Sequence, residues 1–396
     1  MIKKLCLWSA LLITLVLSVQ AFALTKEEKL AIALLKYPQA DTNKDGTLTM
    51  QEAKIFRDKH RQQTKQKQRS PVTIPTHANV AYGDHPRNVL DLWLVPSDKP
   101  TPLLVNIHGG GFKGGDKRKI SSKMIKMMND EGISVASINY RFKEKETSRF
   151  EGETPLYPAI LHDGARALQF LRYKAAKYNL DKTRFAATGG SAGGQMLMWL
   201  GFHPDLAQAD HEDPVLRESS RLQALAPRGG QTTSHYPTLL KWFGVKSLNL
   251  SKKAGTIQAS NEGRQPTEKA LALMLDASPI NHWTKDDPPI YLYYSGPNEQ
   301  VDETTLFGTW VHHPLFGIKL KEAMYSQGVE AYLEYKDGPP VEKYKSRYDF
   351  IIKTLKILPT ASLNSKKEFD SVFIAENAGN SSVVVAKPIN WNTTGN

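Results

Sequence analysis

Between residues 80 and 357 short apolar runs alternate with longer stretches whose apolar positions recur every three to four residues. The runs at 80–82, 90–95, 103–107, 133–140, 184–188, 222–226, 289–294 and 331–335 read as strands. Residues 158–178 place Leu161, Ala165, Leu168, Leu171 and Ala175 on one helical face, and 119–131, 316–327 and 347–357 read as further helices. Strands alternating with helices predict an α/β domain over residues 72–358, with a mostly parallel central sheet and helices on both faces. Residues 231–285 interrupt this rhythm with short helical pieces and read as a cap insertion over a site.

The ends of the chain have different patterns. Lys3 and Lys4, an apolar stretch over 5–19 and Ala21-Phe22-Ala23 predict a signal peptide at 1–23, cleaved because its apolar core falls short of the ~20 residues a spanning helix needs. The mature protein is then secreted or periplasmic, with no transmembrane segment after cleavage. Residues 25–37 carry Leu30, Ile32, Ala33, Leu34 and Leu35 and form a short helix, and a second helix runs from Met50 to about Lys67. Residues 59–71, with Lys59, Arg61, Lys65, Lys67 and Arg69, read as a basic helix end and linker, with a polyanion-binding patch as the sharper alternative. The tail, 359–396, is rich in Asn, Ser and Thr without a helical period, and reads as disordered or as an extended addition around 382–385.

Composition narrows the chemistry. The net charge is +12, but the basic residues are spread out, so solubility explains it better than nucleic-acid binding, and no nucleic-acid partner is expected. Cys6, the only cysteine, falls in the leader, which excludes disulfides, thiolate metal sites and a cysteine nucleophile from the mature chain.

Residues 41–52 match an EF-hand calcium loop position by position. Asp41, Asn43 and Asp45 supply oxygen at positions 1, 3 and 5, and Gly46 takes the sharp turn at 6. Thr47 offers its carbonyl at 7, Thr49 reaches the ion through water at 9, and Glu52 is bidentate at 12. Flexible oxygen ligands favour Ca2+ over Mg2+, and the segment 24–58 is expected to bind it in a structural role. No cofactor is expected for catalysis.

The densest chemical signal is residues 189–194, Gly-Gly-Ser-Ala-Gly-Gly, between the strand at 184–188 and the helical run beginning at Gln195. This strand–turn–helix with Ser191 at its apex is the G-x-S-x-G nucleophile elbow, and the Ala192 N–H at the helix start can face a developing oxyanion. Some 80 residues earlier the strand at 103–107 runs into His108-Gly109-Gly110-Gly111-Phe112, the second half of an oxyanion hole.

With both motifs in order, residues 76–358 resemble the α/β-hydrolase superfamily, and within it the HGGG carboxylesterases that include hormone-sensitive-lipase-like and acetyl-xylan or feruloyl esterase-like members. The likeness rests on residues 108–112, on Gly115-Asp116-Lys117, on Ile138-Asn139-Tyr140-Arg141 and on 189–194. It implies Ser191 as nucleophile, Gly110, Gly111 and Ala192 as oxyanion donors, and His108 as a support of the oxyanion loop. The family order of serine, acid, histidine puts the acid just after the strand at 289–294, at Glu299 with Asp302 as its neighbour. The histidine belongs after the last strand, but residues 336–343 contain none, and none follows His313. A base must then come from elsewhere. His312 or His313 in the lengthened acid loop are the leading candidates, and His235 and His282 the weaker ones. The expected function is a secreted serine carboxylic-ester hydrolase acting on a small ester or an acylated polysaccharide. The alternative is a catalytically lapsed, calcium-binding hydrolase-fold protein that binds a ligand or partner, and a third reading makes the EF-hand and basic linker an attachment module for an anionic surface.

Overall fold

The computed structural model describes residues 25–67, 73–143, 156–249 and 266–357, with backbone alone at 60–67 and 156–158. The signal peptide, the tail, residues 68–71 of the basic linker and 250–265 of the cap lie outside the described residues. The chain divides into two compact units, residues 1–72 and 73–396.

The first unit is a helical hairpin. Helix α1 (Lys26–Lys36) opens on a capping box, in which Thr25 accepts from the Glu28 N–H while the Glu28 carboxylate accepts from the Thr25 N–H. A 3-10 turn (Pro38–Ala40) leads into the 41–52 loop, and helix α2 (Met50–Lys67) follows it. Ala40 and Leu48 are buried at the loop's ends, and the Tyr37 and Phe56 rings lie 5.7 Å apart. Gly46 takes φ +84°, the turn that favours glycine. Among the described residues no group of three or more His, Cys, Asp or Glu side chains is placed to hold a metal ion.

The second unit is built on one eight-stranded sheet. Its strands are β1 (His77–Ala81), β2 (Val89–Trp93), β3 (Thr101–Ile107), β4 (Ser134–Ile138), β5 (Leu180–Gly190), β6 (Ala224–Arg228), β7 (Ile290–Tyr294) and β8 (Ala331–Tyr335). The spatial order is β1-β2-β4-β3-β5-β6-β7-β8, antiparallel where β2 meets β1 and β4 and parallel elsewhere. The helices of this unit are α3 (Ser122–Asp130), α4 (Leu156–Tyr173), α5 (Ala175–Tyr178), α6 (Ala192–Phe202), α7 (Tyr236–Phe243), α8 (Glu268–Asp276), α9 (Phe307–Trp310), α10 (Leu315–Tyr325) and α11 (Arg347–Lys356). Apolar residues of α4, α6 and α10 pack one face of the sheet, and those of α3 and α11 pack the other. Strands β3 and β4 are buried on both faces, as a parallel sheet between two helix layers requires.

The expected strands and principal helices are all present, with end shifts of a few residues. Part of the cap insertion is α7, α8 and a 3-10 turn at Pro279–Asn281. Strand β5 and the loop after β3 end side by side at the centre of the sheet, where ligands of open α/β folds bind.

Candidate active site

Strand β5 delivers Ser191 to the edge of a cavity of about 670 Å³, whose walls include Gly109, Gly190, Arg228, Glu299, Gln300, Thr309 and His312. Ser191 has φ 53° and ψ −122°, a conformation that costs a non-glycine residue of order 1–3 kcal/mol and is held by its surroundings. Its N–H donates to the Arg228 carbonyl at 2.8 Å, and its own carbonyl accepts from Gln195 N–H at 2.9 Å. A Cβ on Gly193 would collide with the Ile107 and His108 carbonyls, and one on Gly189 would lie 2.6 Å from the Ile107 oxygen. Both motif glycines are therefore required by close packing of the elbow on β3.

Ser191 caps the N-terminus of α6, so the Ala192 N–H is among the first-turn donors that have no partner within the helix. Across from it, Gly109 packs on the elbow: a Cβ there would be 2.5 Å from the Gly190 oxygen and 3.3 Å from Ser191 Cβ. Gly109 lines the cavity, whereas Gly110 and Gly111, the donors expected from the motif, do not. They lie in the tight turn beyond it, with φ +129° and +63°.

His108 packs within this loop and bonds to its backbone. Its ring stacks on Tyr140 with centroids 4.3 Å apart, and Tyr140 donates to the His108 carbonyl at 2.7 Å. Arg87 can only donate, so His108 Nε2 accepts from it at 3.4 Å and Nδ1 carries the proton given to the Gly109 carbonyl at 2.9 Å. Burial lowers the His108 pKa, which keeps the ring neutral. Asp116, from the same matching segment, is held well below the usual carboxylate range by Arg118, whose Nε is 2.7 Å away. Lys117 is buried with Asp91 at 2.6 Å and donates to Asn79 at 2.8 Å, tying the loop to the outer strands.

The histidine that reaches the serine comes from the lengthened loop after β7. His312 Nε2 lies 2.9 Å from Ser191 Oγ, and His312 Nδ1 lies 3.0 Å from the Gly308 carbonyl. A carbonyl only accepts, so Nδ1 carries the proton and Nε2 is left to accept from the serine hydroxyl. This is the tautomer a general base needs. Gly308 sits in the four-residue helix α9, whose last carbonyls lack the next turn's N–H groups. The His312 backbone N–H goes to Thr309, and its side chain satisfies Gly308. Gln231 Nε2 donates to the carbonyls of Gly229, at 3.0 Å, and Val311, at 2.5 Å, joining the end of β6 to the residue before His312. Buried Trp310 donates to the Asn249 carbonyl at 2.7 Å.

The other expected residues are placed elsewhere. His313 turns away from the serine: Nε2–H donates to the Glu299 carbonyl at 2.7 Å, Nδ1 accepts from Leu315 N–H at 3.1 Å, and burial lowers its pKa. Glu299 lines the cavity, its main-chain carbonyl accepts from His313, and its carboxylate is close enough to act on the His313 ring by charge. Asp302 caps an exposed turn, accepting from Thr304 and Thr305, and those hydrogen bonds lower its pKa. His235 contacts Thr238 at 2.7 Å, and His282 contacts the Asp276 carbonyl at 2.5 Å. Of the residues expected from the sequence, the structure brings Ser191 and His312 together; Gly308, Gly109 and Arg228, not singled out there, lie beside them. The Gly308 role is a main-chain one with no residue signature, although a histidine four residues past a helical position is a known capping arrangement.

Chemically the arrangement can do acyl transfer. Ser191 Oγ has an imidazole nitrogen at hydrogen-bond distance, and the Ala192 N–H lies at the helix start beside it. A peptide carbonyl orients His312 as a carboxylate would, while giving the imidazolium less electrostatic support.

Residues 90–305, more than half of the chain, match the BD-FAE family model. The probable carboxylic ester hydrolase LipM of Mycobacterium tuberculosis is 27% identical over 232 residues, covering 56% of this chain and 48% of that protein. Esterase LipQ of the same organism is 29% identical over 237 residues, covering 57% and 49%. The chain spans about half the length of these curated relatives. Among solved structures, a truncated form of a carbohydrate esterase from gut microbiota superposes with a TM-score of 0.52 at 22% identity, over 72% of this chain and 98% of that one. That likeness establishes the α/β-hydrolase fold.

Proposed function

The chain belongs to the BD-FAE family, and on that premise we propose that it is a serine carboxylic-ester hydrolase. The observation that carries the reading is the 2.9 Å contact between His312 Nε2 and Ser191 Oγ. Ser191 Oγ attacks the ester carbonyl carbon as its proton passes to His312 Nε2. The Ala192 N–H and the loop at Gly109 face the oxyanion. The C–O bond to the alcohol then breaks, and His312 returns the proton to the leaving oxygen. Water enters, gives a proton to His312 and attacks the acyl carbon, and the carboxylic acid leaves as Ser191 is restored.

The polar residues around the cavity, Arg228, Gln300 and Thr309 among them, suit a hydroxyl-rich alcohol part, which supports an acylated carbohydrate as substrate. The lapsed-enzyme alternative rested on a missing base, and His312 answers that objection. Purified mature protein should hydrolyse 4-nitrophenyl acetate well above its Ser191→Ala variant. Equal rates in two folded proteins would refute the assignment.

Calcium binding and export belong to the same proposal. Asp41 accepts from the N–H groups of Lys44 and Gly46, at 2.8 and 2.9 Å, and Asp45 accepts from Thr47. Glu52 is held ionised by Thr49 and Thr42, which pull its pKa down to about 2. The run of hard oxygen donors in this turned loop supports a reading in which Ca2+ would draw Asp41, Asn43, Asp45, Thr47, Thr49 and Glu52 together in a structural role. Millimolar Ca2+ should raise the melting temperature of the wild type and not of Glu52→Gln, and no shift in either would remove calcium from the account. The amino-terminal leader supports secretion or a periplasmic location, and recovery of the uncleaved chain from the cytoplasm would contradict it.

A further inference from the structure

We propose that Arg228 selects esters whose alcohol part carries a carboxylate, so that the substrate class is acyl esters of hydroxy acids or uronic-acid sugars. This rests on the esterase reading of the same cavity.

Arg228 ends β6 beside the nucleophile, with its carbonyl on the Ser191 N–H, and it lines the cavity with Ser191 and His312. Its residue is exposed to that space. Its guanidinium differs from the other described arginines of residues 73–357. Arg141, Arg166, Arg184 and Arg221 pair with Asp163, Asp213, Asp181 and Asp287. Arg118 pairs with Asp116, and Arg87, Arg172 and Arg217 donate to main-chain carbonyls. Arg347 donates to Thr188 and the Tyr348 hydroxyl. Among these, Arg228 alone makes no side-chain hydrogen bond or ion pair. The one guanidinium left without a partner is thus the one at the reacting serine, and five N–H donors in a planar fork match a carboxylate.

A second arginine lies on the same face of the sheet. Tyr293 of β7 is the register partner of Arg228, so the two side chains leave the sheet on the same face, and the Arg347 guanidinium lies 5.8 Å from the Tyr293 ring centroid. Glu299 is the opposing charge on the cavity wall, and it confines an anion to the Arg228 side.

Position also chooses the half of the ester. His312 returns the proton to the leaving alcohol, so the alcohol lies on its side of the serine. Gly229 follows Arg228 directly and backs the His312 ring, where a Cβ would be 3.3 Å from His312 Cδ2. The Arg228 backbone therefore lies beside the base, and its side chain lines the cavity that the leaving group must share.

The test compares three chromogenic esters: 4-nitrophenyl acetate, 5-acetoxy-2-nitrobenzoate (the same phenol with a carboxylate) and mono-4-nitrophenyl glutarate, whose carboxylate is on the acyl side. Each is assayed with the full mature chain and with Arg228→Gln and Arg228→Lys, Ser191→Ala serving as blank. The ratio of kcat/KM for the carboxylated phenyl acetate over the neutral one should fall about 10–100-fold in Arg228→Gln, the scale of one charge-assisted hydrogen bond, with partial recovery in Arg228→Lys. Glu299→Gln should raise that ratio. A loss in Arg228→Gln that is equal for both acetates overturns the proposal and leaves the esterase intact. A ratio that responds only for the glutarate overturns the placement on the alcohol side. No turnover of any of the three above the Ser191→Ala blank overturns the esterase reading together with this one.

Discussion

The two halves of the proposed catalytic pair meet at 2.9 Å but are set by different kinds of structure. Ser191 is fixed by its nearest neighbours in sequence: a strand, a strained apex and a helix, with glycines where the backbone presses on β3. His312 is fixed by contacts from far along the chain. Gln231 holds the residue before it, the Asn249 carbonyl takes Trp310, and Glu299 takes His313. A nucleophile that must sit in a strained turn has little freedom of place, because few backbones hold it. A base needs only to arrive at the right distance in the right tautomer, and any loop that reaches can supply it. The site therefore keeps the elbow while moving the histidine to the loop after β7.

The largest effect expected from breaking this pairing is chemical. Ser191→Ala and His312→Ala should each lower kcat by about 10⁴–10⁶, and the double variant should be little worse than either, because the two act as one unit. Next comes the elbow itself. Gly193→Ala should lower kcat by about 10² or more and reduce the melting temperature, since the Ile107 carbonyl must move. A variant with normal kinetics would show that the elbow is not packed as described. His313→Ala sharpens the contrast between adjacent histidines: a loss within about tenfold is expected, through the loop and not the proton transfer. Gln231→Ala, which frees the base loop at one point, should cost about five- to tenfold in kcat with KM nearly unchanged.

A smaller prediction concerns stability and pH. His203, at the end of α6, packs tilted against Trp199 with ring centroids 4.2 Å apart, and burial, followed by the nearby His282, pulls its pKa down to about 3. An unfolded histidine titrates near 6.5, so between these values the unfolded chain binds the extra proton. The contribution is full above about pH 6.5 and is lost as pH falls toward 3. Thermal melts from pH 7 to 4 should show a steeper decline in the wild type than in His203→Gln, and identical slopes would exclude His203 as a source.

How legible each region was follows the same division. The sheet was readable because buried parallel strands such as β3 and β4 are continuous apolar runs. Ser191 was readable because the glycines at 189 and 193 report steric demands of the turn. The partner of the histidine was less legible, for a physical reason. Glu299 and Asp302 sit where a carboxylate is expected, but Asp302 is used to cap a turn, and the orienting acceptor is the Gly308 carbonyl, which no side-chain pattern announces. The oxyanion loop was legible as an HGGG run, but the run does not say which of its glycines will press against the serine; Gly109 does. Arg228 was not singled out because a strand-end arginine carries no motif, and only its lack of partners in the folded chain marks it.

The central claim is that His312, oriented by a peptide carbonyl, is the whole of the base. The most direct test is kcat/KM on 4-nitrophenyl acetate for Glu299→Gln/Asp302→Asn beside His312→Ala, with circular dichroism to establish folding. The account predicts that the carboxamide double variant stays within about tenfold of wild type, while His312→Ala loses about 10⁴-fold or more. A loss of about 10³–10⁴ in the double variant, or turnover retained in His312→Ala, would contradict it and restore a conventional acid to the site.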